Sequence, residues 1–542
     1  MFLTLLACIV IALTSIDGLT SRNIPSYERQ ALHDFYISTN GDDWIYQHGD
    51  HGHWNFTDPY VNPCLSSDLW QGLNCIVISS DTSTYYYYIS EINLSEYNLR
   101  GTIPESIGIY IYIISTISYN HIDDVLNCID VIYIIYIGNL SKLNYLDLSY
   151  NSVNGILPNS IYQLLDLQVL NLDSNQLQGT LSHTIQQIYK LQYLDLCLNN
   201  FYGTIPSLIG NLSKLTYLRL SRNAFSGKIP DSIRDLTSLN LFYISENQLT
   251  GTIPNWIGEL KILSYVSFQY NQLTGTIPSS LFELSNLIEL GLSNNSFTGT
   301  LPSIMVEMPY LYELFIDYTK ISGTIPNCFI NLSSVVHLYF YNNQISGTIP
   351  NFIEDFIYLQ TLQLSNNQLT GIIPSNLSKL ISLITLDLYS NLLTGTIPSN
   401  FNALISLQIF FLQGNLLTGI IPDIFINLTD LIFINISCNY FTGTIPNSIA
   451  KLQYLRQFLI QDNILSGNLT NVFNGNLQKS LIKVQLSNNQ FTGQLPDQLF
   501  ISSSLVSVAA VSNCFHGSIP SSICPPTAGN EKGEIFLLLY YN

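Results

Sequence analysis

The sequence predicts an α/β-type repeat solenoid, a stack of short coils built from one spelling repeated along most of the chain. Three observations predict it. A unit beginning LxxLxLxxN and running into xLxGxIP, plain in LSYVSFQYNQLTGTIP from Leu263 to Pro278, recurs every 24 residues. Its asparagine falls on one grid from Asn151 to Asn463, fourteen coils without a slip, with Thr319 the single substitute; Asn489 follows after 26 residues and Asn513 after 24. In all sixteen coils the residue four beyond this marker is Gly, and Pro follows three later in fourteen, Ser182 and Thr470 being the exceptions.

Physical chemistry explains the spelling. LxL is a short strand whose leucines point inward while the intervening residues face solvent. The marker Asn ends it, and its amide, turned inward, can fill the donors and acceptors of a buried turn when copies stack. Thr319 replaces only part of that amide, so a local weakness is expected there. Gly permits a backbone angle that other residues resist, and Pro holds an extended segment. No unit buries its apolar face alone, so the array is stable only as a capped stack.

This spelling resembles the plant-type leucine-rich repeat of receptor-like proteins, receptor-kinase ectodomains and polygalacturonase-inhibiting proteins, over roughly residues 90–524. The resemblance implies a right-handed superhelix with a concave parallel β-sheet and short second strands or 3-10 segments on its other faces. It names no ligand.

Composition agrees with an extracellular repeat protein. Net charge is −19 with only 10% charged residues, which argues against a nucleic-acid partner. Residues 1–18 read as a signal peptide, the alternative being a short membrane anchor. Residues 19–89 read as an N-terminal cap, with a helix after Pro25 and three tryptophans, Trp44, Trp54 and Trp70, closing the core. Cys64 with Cys75, and Cys514 with Cys524, flank the array as cap disulfides would, whereas Cys197, Cys328 and Cys438 read as buried small hydrophobes. In the cap, Asp42, Asp43, His48, Asp50, His51 and His53 form the densest set of metal-ligand types, but their spacing fits no standard site and a polar loop is expected. No metal or cofactor is assigned.

Between the first marker position, Tyr97, and Asn151 the grid carries thirty extra residues. Residues 109–138 are open to three readings: a degenerate coil with Asn120 as its marker, an unspliced or mistranslated segment, or a functional loop. The tail, 525–542, ends in an apolar run from Ile535 to Tyr541, too short to span a membrane. It fits an arbitrary end or the start of a membrane tether lying beyond residue 542.

Ten N-x-S/T sequons, at Asn55, Asn93, Asn139, Asn211, Asn294, Asn331, Asn376, Asn427, Asn435 and Asn468, suggest a glycoprotein. Asn139, Asn211, Asn331 and Asn427 lie twelve residues from a marker, away from the sheet, while Asn435 falls in a strand. Concave positions, six, four, two and one before each marker, turn aromatic mid-array at Tyr265, Tyr270, Phe315, Tyr318, Tyr339 and Tyr341, with Tyr389 and Phe411 further on and Asp317 and His337 interspersed. Exposed aromatics on a rigid sheet suit a protein, peptide or carbohydrate ligand. With 35 Tyr in the chain, composition alone offers a competing account. Arg219 and Arg222 are the only basic pair on that face, a candidate contact for an anionic ligand.

The function expected is non-catalytic extracellular recognition, secreted or at the cell surface. The alternative is a structural, adhesion or ice-binding repeat protein. A pectin-degrading type of enzyme ranks third, because the concave columns lack acidic pairs at catalytic spacing.

Overall fold

The computed structural model describes residues 24–46, 53–57, 61–65, 70–79, 85–107, 140–523 and 536–538. The proposed signal peptide, His48, Asp50, His51, Asn139, residues 109–138 and Cys524 lie outside them. The chain divides into two units, Met1–Thr250 and Gly251–Asn542.

The first unit opens with helix α1 (Ser26–Ser38), which buries Ala31, Leu32 and Phe35. Trp44, Trp54 and Trp70 are all buried beside it, and their indoles pack edge-on or stacked at centroid distances of 4.9 Å (Trp44–Trp54) and 5.6 Å (Trp54–Trp70). Each of the first two indoles finds a carbonyl, Trp44 Nε1 donating to Thr39 and Trp54 Nε1 to Gln71, as buried indoles require. Cys64 and Cys75 form a disulfide. Strands β1 (Leu73–Ser79) and β2 (Tyr85–Asn93) make an antiparallel hairpin, and β2 then pairs parallel with Tyr145–Asp147, the first of the regular main-sheet strands.

That last pairing bears on the thirty-residue excess. Leu94 N–H donates to Asp147 O, and Asn151 Nδ2 donates to Leu94 O. Arg100–Thr102 likewise pairs directly with Ser152–Ile156. The coils at Tyr97 and Asn151 are therefore immediate neighbours, and the three readings of 109–138 concern residues outside those described.

Both units then repeat one coil. A three-residue main-sheet strand such as Tyr217–Arg219 buries its central Leu218, and Leu220 follows inward. The residue before the marker takes a left-handed conformation in every coil from Tyr150 onward that carries a side chain there. The marker Asn then bonds both within its own coil and to the coil before it. Asn367 Nδ2 donates to Phe340 O in the preceding coil and to Leu364 O and Ser365 O in its own, while its Oδ1 accepts from Ile345 N–H. A second, short parallel strand around the Gly follows, and the Pro, extended at φ near −70° (−69° at Pro350), leads into a 3-10 segment such as Asn351–Asp355. Ser182, where Pro is missing, caps its segment instead by accepting from Thr184 N–H.

Thr319 interrupts this order. Its hydroxyl donates to Asn343 Oδ1 and accepts from Ile321 N–H, and it offers no acceptor to Phe297 N–H, the group that an Asn would serve. On either side the second-sheet strands shrink to Ser296–Phe297 and Ser322–Gly323, which share only an isolated bridge between Thr300 and Ser322. The two-residue slip before Asn489 is absorbed in turns where the buried Gln478 donates to Ile449 O.

Three expectations change. Of the cysteines expected inside, Cys197 is buried, Cys328 half-buried and Cys438 exposed, because Cys438 occupies the left-handed position that turns its side chain outward. Cys514 is exposed and unbridged, its expected partner lying outside the described residues. In the apolar tail, Phe536–Leu538 is a strand, adding in parallel to Ser507–Ala509 rather than beginning a helix. Among the described residues no helix is long and apolar enough to cross a membrane.

Candidate functional site

The aromatic columns of the second unit lie on consecutive main-sheet strands in fixed register. Tyr265 pairs with Glu289, Glu289 with Glu313, Glu313 with His337 and His337 with Thr361. One step along, Phe315 and Tyr339 are partners, and their rings stack 4.7 Å apart at 7°. Tyr312 meets His337 edge-on at 5.4 Å, and Tyr318 meets Tyr341 edge-on at 5.2 Å. Rings at these separations are in mutual contact, so the cluster is organised before any ligand arrives.

Backbone conformation decides which rings protrude. Tyr318 sits before its marker at φ 50° and is 50% exposed; Tyr270 holds the same place at φ 52° and is 54% exposed. Phe315, His337, Tyr339 and Tyr341 are half-buried. Tyr265 and Tyr270 sit two strands from Phe315, across the strand holding Glu289 and Gly291. They make no ring contact with the other six expected residues among those described, although the Tyr270 phenol lies near enough to help raise that of Tyr341.

Asp317 also departs from expectation. It is 4% exposed and lies beneath the rings, accepting a hydrogen bond from Ser293 Oγ. Burial raises its pKa, partly offset by that bond, and it acts as a support rather than a contact. Burial, with Asp317 beside it, pushes the Tyr341 phenol well above its ordinary value, so Tyr341 stays a neutral hydrogen-bonding group. His337 Nδ1 lies 3.0 Å from Thr361 Oγ1, and burial lowers the imidazole's pKa, so the ring is neutral near pH 7.

The first unit holds a cluster that the columns did not single out. Asp173, Asp195 and Cys197 are buried and bring ligand atoms within 4.8 Å of one another. Arg219 lies 3.3 Å from Asp195 and 4.0 Å from Asp173 and already supplies positive charge there. Burial still dominates Asp195, raising its carboxyl to about 6. Arg222 pairs with Glu246 at 2.7 Å. The basic pair proposed for an anionic ligand is thus engaged within the protein. The signal was legible: Asp173, Asp195, Cys197 and Arg219 stand two or four before successive markers, so stacking brings them together.

In the cap, Asp42 accepts from Tyr36 Oη, Asp43 from Asn40 Nδ2, and His53 stacks on Tyr46 at 3.8 Å. The described members of that polar set pair with neighbouring groups of the cap, Asp42 with helix α1. Among the sequons, Asn55, Asn93, Asn211, Asn427 and Asn468 are exposed, and Asn294, Asn331, Asn376 and Asn435 are half-buried. The side-chain amides of Asn331 and Asn376 already donate to Met305 O and Asn351 O.

Comparison with known proteins follows the repeat. Leucine-rich-repeat family models match residues 127–177, 189–249 and 357–417, and a related one matches 286–308, 334–356 and 430–452. A solved structure described as a TDR receptor is 30% identical, covers 83% of this chain and 71% of its own, and superposes with a TM-score of 0.72. The plant peptide hormone receptor RGFR1, solved in complex with RGF2, is 28% identical over 84% of this chain and 81% of its own, with a TM-score of 0.60. A leucine-rich-repeat protein of Leptospira interrogans is 29% identical over 69% of this chain and 92% of its own, with a TM-score of 0.55. No curated protein matches the chain.

Proposed function

This chain belongs to the leucine-rich-repeat family, and on that premise we propose that it is a non-catalytic extracellular recognition protein, binding a peptide segment on the main-sheet face of its second unit. The observation that carries the reading is the ring cluster of Phe315, Tyr318, His337, Tyr339 and Tyr341. Its members are held by strand pairing and by one another, so a ligand gains aromatic area at small entropic cost. The similarity to a receptor solved with its peptide hormone supports a peptide over a glycan.

The test is capture of peptides from a random displayed library by the full chain. Replacing Tyr318, Tyr339 and Tyr341 together by Ala is expected to weaken capture at least about 10-fold with an unchanged thermal melt. Capture that survives the triple substitution overturns the site.

One observation favours a second, structural reading on a different surface. On the second sheet, hydroxyls at Thr274, Ser322, Ser346, Thr370, Thr394 and Thr418 each donate to the Gly carbonyl one coil back. Such an ordered, uncharged rank fits the ice-binding or matrix alternative. If it operates, the full chain slows ice recrystallisation and Thr370→Tyr removes the effect; a wild-type chain without effect discards the ice reading.

A further inference from the structure

From Tyr265 to Asp462 the main-sheet face of the second unit is acidic. Across that span, positions six, four, two and one before each marker include Glu289, Glu313, Asp317, Asp387 and Asp462 but neither Lys nor Arg, and the first basic residue at these positions, Lys483, comes one coil later. Three of these carboxylates have settled partners. Asp317 is buried on Ser293, Asp387 is buried and accepts from Ser365 Oγ, and Asp462 accepts from Asn488 Nδ2.

Glu313 differs. It is half-buried, and among the described residues its carboxylate has neither a hydrogen-bond donor nor a cation. Strand register sets it between Glu289 and His337 and beside Phe315. Its negative charge reaches Tyr339, whose phenol it helps to raise. Desolvation holds the Glu313 carboxyl above its ordinary range, the sign of a charge that water serves poorly and that a cation would relieve. His337, kept neutral by burial, does not compete for it. Aromatic rings attract cations through their faces, and a planar guanidinium can stack on a ring and pair with a carboxylate at once.

We propose that the Glu313 carboxylate and the adjoining Phe315 and Tyr339 rings receive an arginine side chain of the bound peptide. The proposal rests on the recognition site described above and names its ligand chemistry: a basic peptide, acidic segments being repelled by the Glu313 carboxylate.

The experiment screens a bead library of N-acetylated, C-amidated octapeptides with the full-length chain. Arg is expected to be enriched at one position. Replacing that Arg by citrulline, which keeps shape and removes charge, should weaken binding about 10- to 100-fold. Glu313→Gln should weaken the Arg peptide equally and leave the citrulline peptide unchanged, the signature of direct coupling. Glu259→Gln, which alters net charge by the same amount on a 3-10 segment, should have no effect. Enriched peptides without a basic residue, or Arg peptides indifferent to Glu313→Gln, overturn this inference. If those same peptides are still lost on the triple Tyr replacement, the recognition site stands; if no peptide binds the wild-type chain, both fall.

Discussion

The marker side chain is where one atom decides the behaviour of a coil. An Asn amide serves its own turn and two groups in the coil before, and Thr319 cannot donate from nitrogen. Thr319→Asn should restore the donor to Leu292 O and the acceptor for Phe297 N–H, raising stability by about 1 kcal/mol in chemical denaturation. An unchanged or lower midpoint would mean that the coil has relaxed around the threonine. A second residue-scale prediction concerns Glu28. It is buried on α1, accepts from Ile89 N–H, and is pushed by burial from 4.5 up to about 8. Between those values the folded chain holds a proton that the unfolded chain has released, so this group's stabilising contribution is complete below pH 4.5 and is lost as pH rises through about 8. Glu28→Gln should flatten that part of the melting-temperature profile; a parallel profile would contradict the assignment.

At the scale of elements, strand pairing turns a 24-residue period into a ruler. Residues equally placed before successive markers become neighbours, which is why Glu289, Glu313 and His337 fall side by side. The main strands, the cap helix and the buried tryptophans were legible because each follows from local pattern, whereas the second strands were expected only from the resemblance to plant-type leucine-rich repeats. Other features were not. The left-handed residue before each marker leaves no mark on periodicity, yet it makes Tyr318 protrude and Cys438 exposed. Equally, column position cannot distinguish a surface Asp from one drawn under its neighbours, as Asp317 is. The second sheet adds a prediction. Gly347 has φ +77°, and a Cβ there would lie 2.7 Å from Thr324 Cγ2. Gly347→Ala should therefore destabilise the second unit by about 1–2 kcal/mol, read in the same denaturation assay.

For the molecule as a whole, charge is distributed by function rather than by amount. The chain is strongly acidic yet sparsely charged, so each unpaired carboxylate matters. In the first unit, Arg219 and Arg222 are paired with Asp195 and Glu246 on the main-sheet face. In the second, the comparable face from Tyr265 to Asp462 has rings and carboxylates with neither Lys nor Arg at its strand positions. The central claim is that this second face receives the ligand. Hydrogen exchange of the full chain, with and without a peptide selected from the bead library, tests it most directly. The account predicts added protection confined to residues around 313–341 on the main-sheet strands. Protection confined to the second-sheet strands, or to the cap, would contradict it.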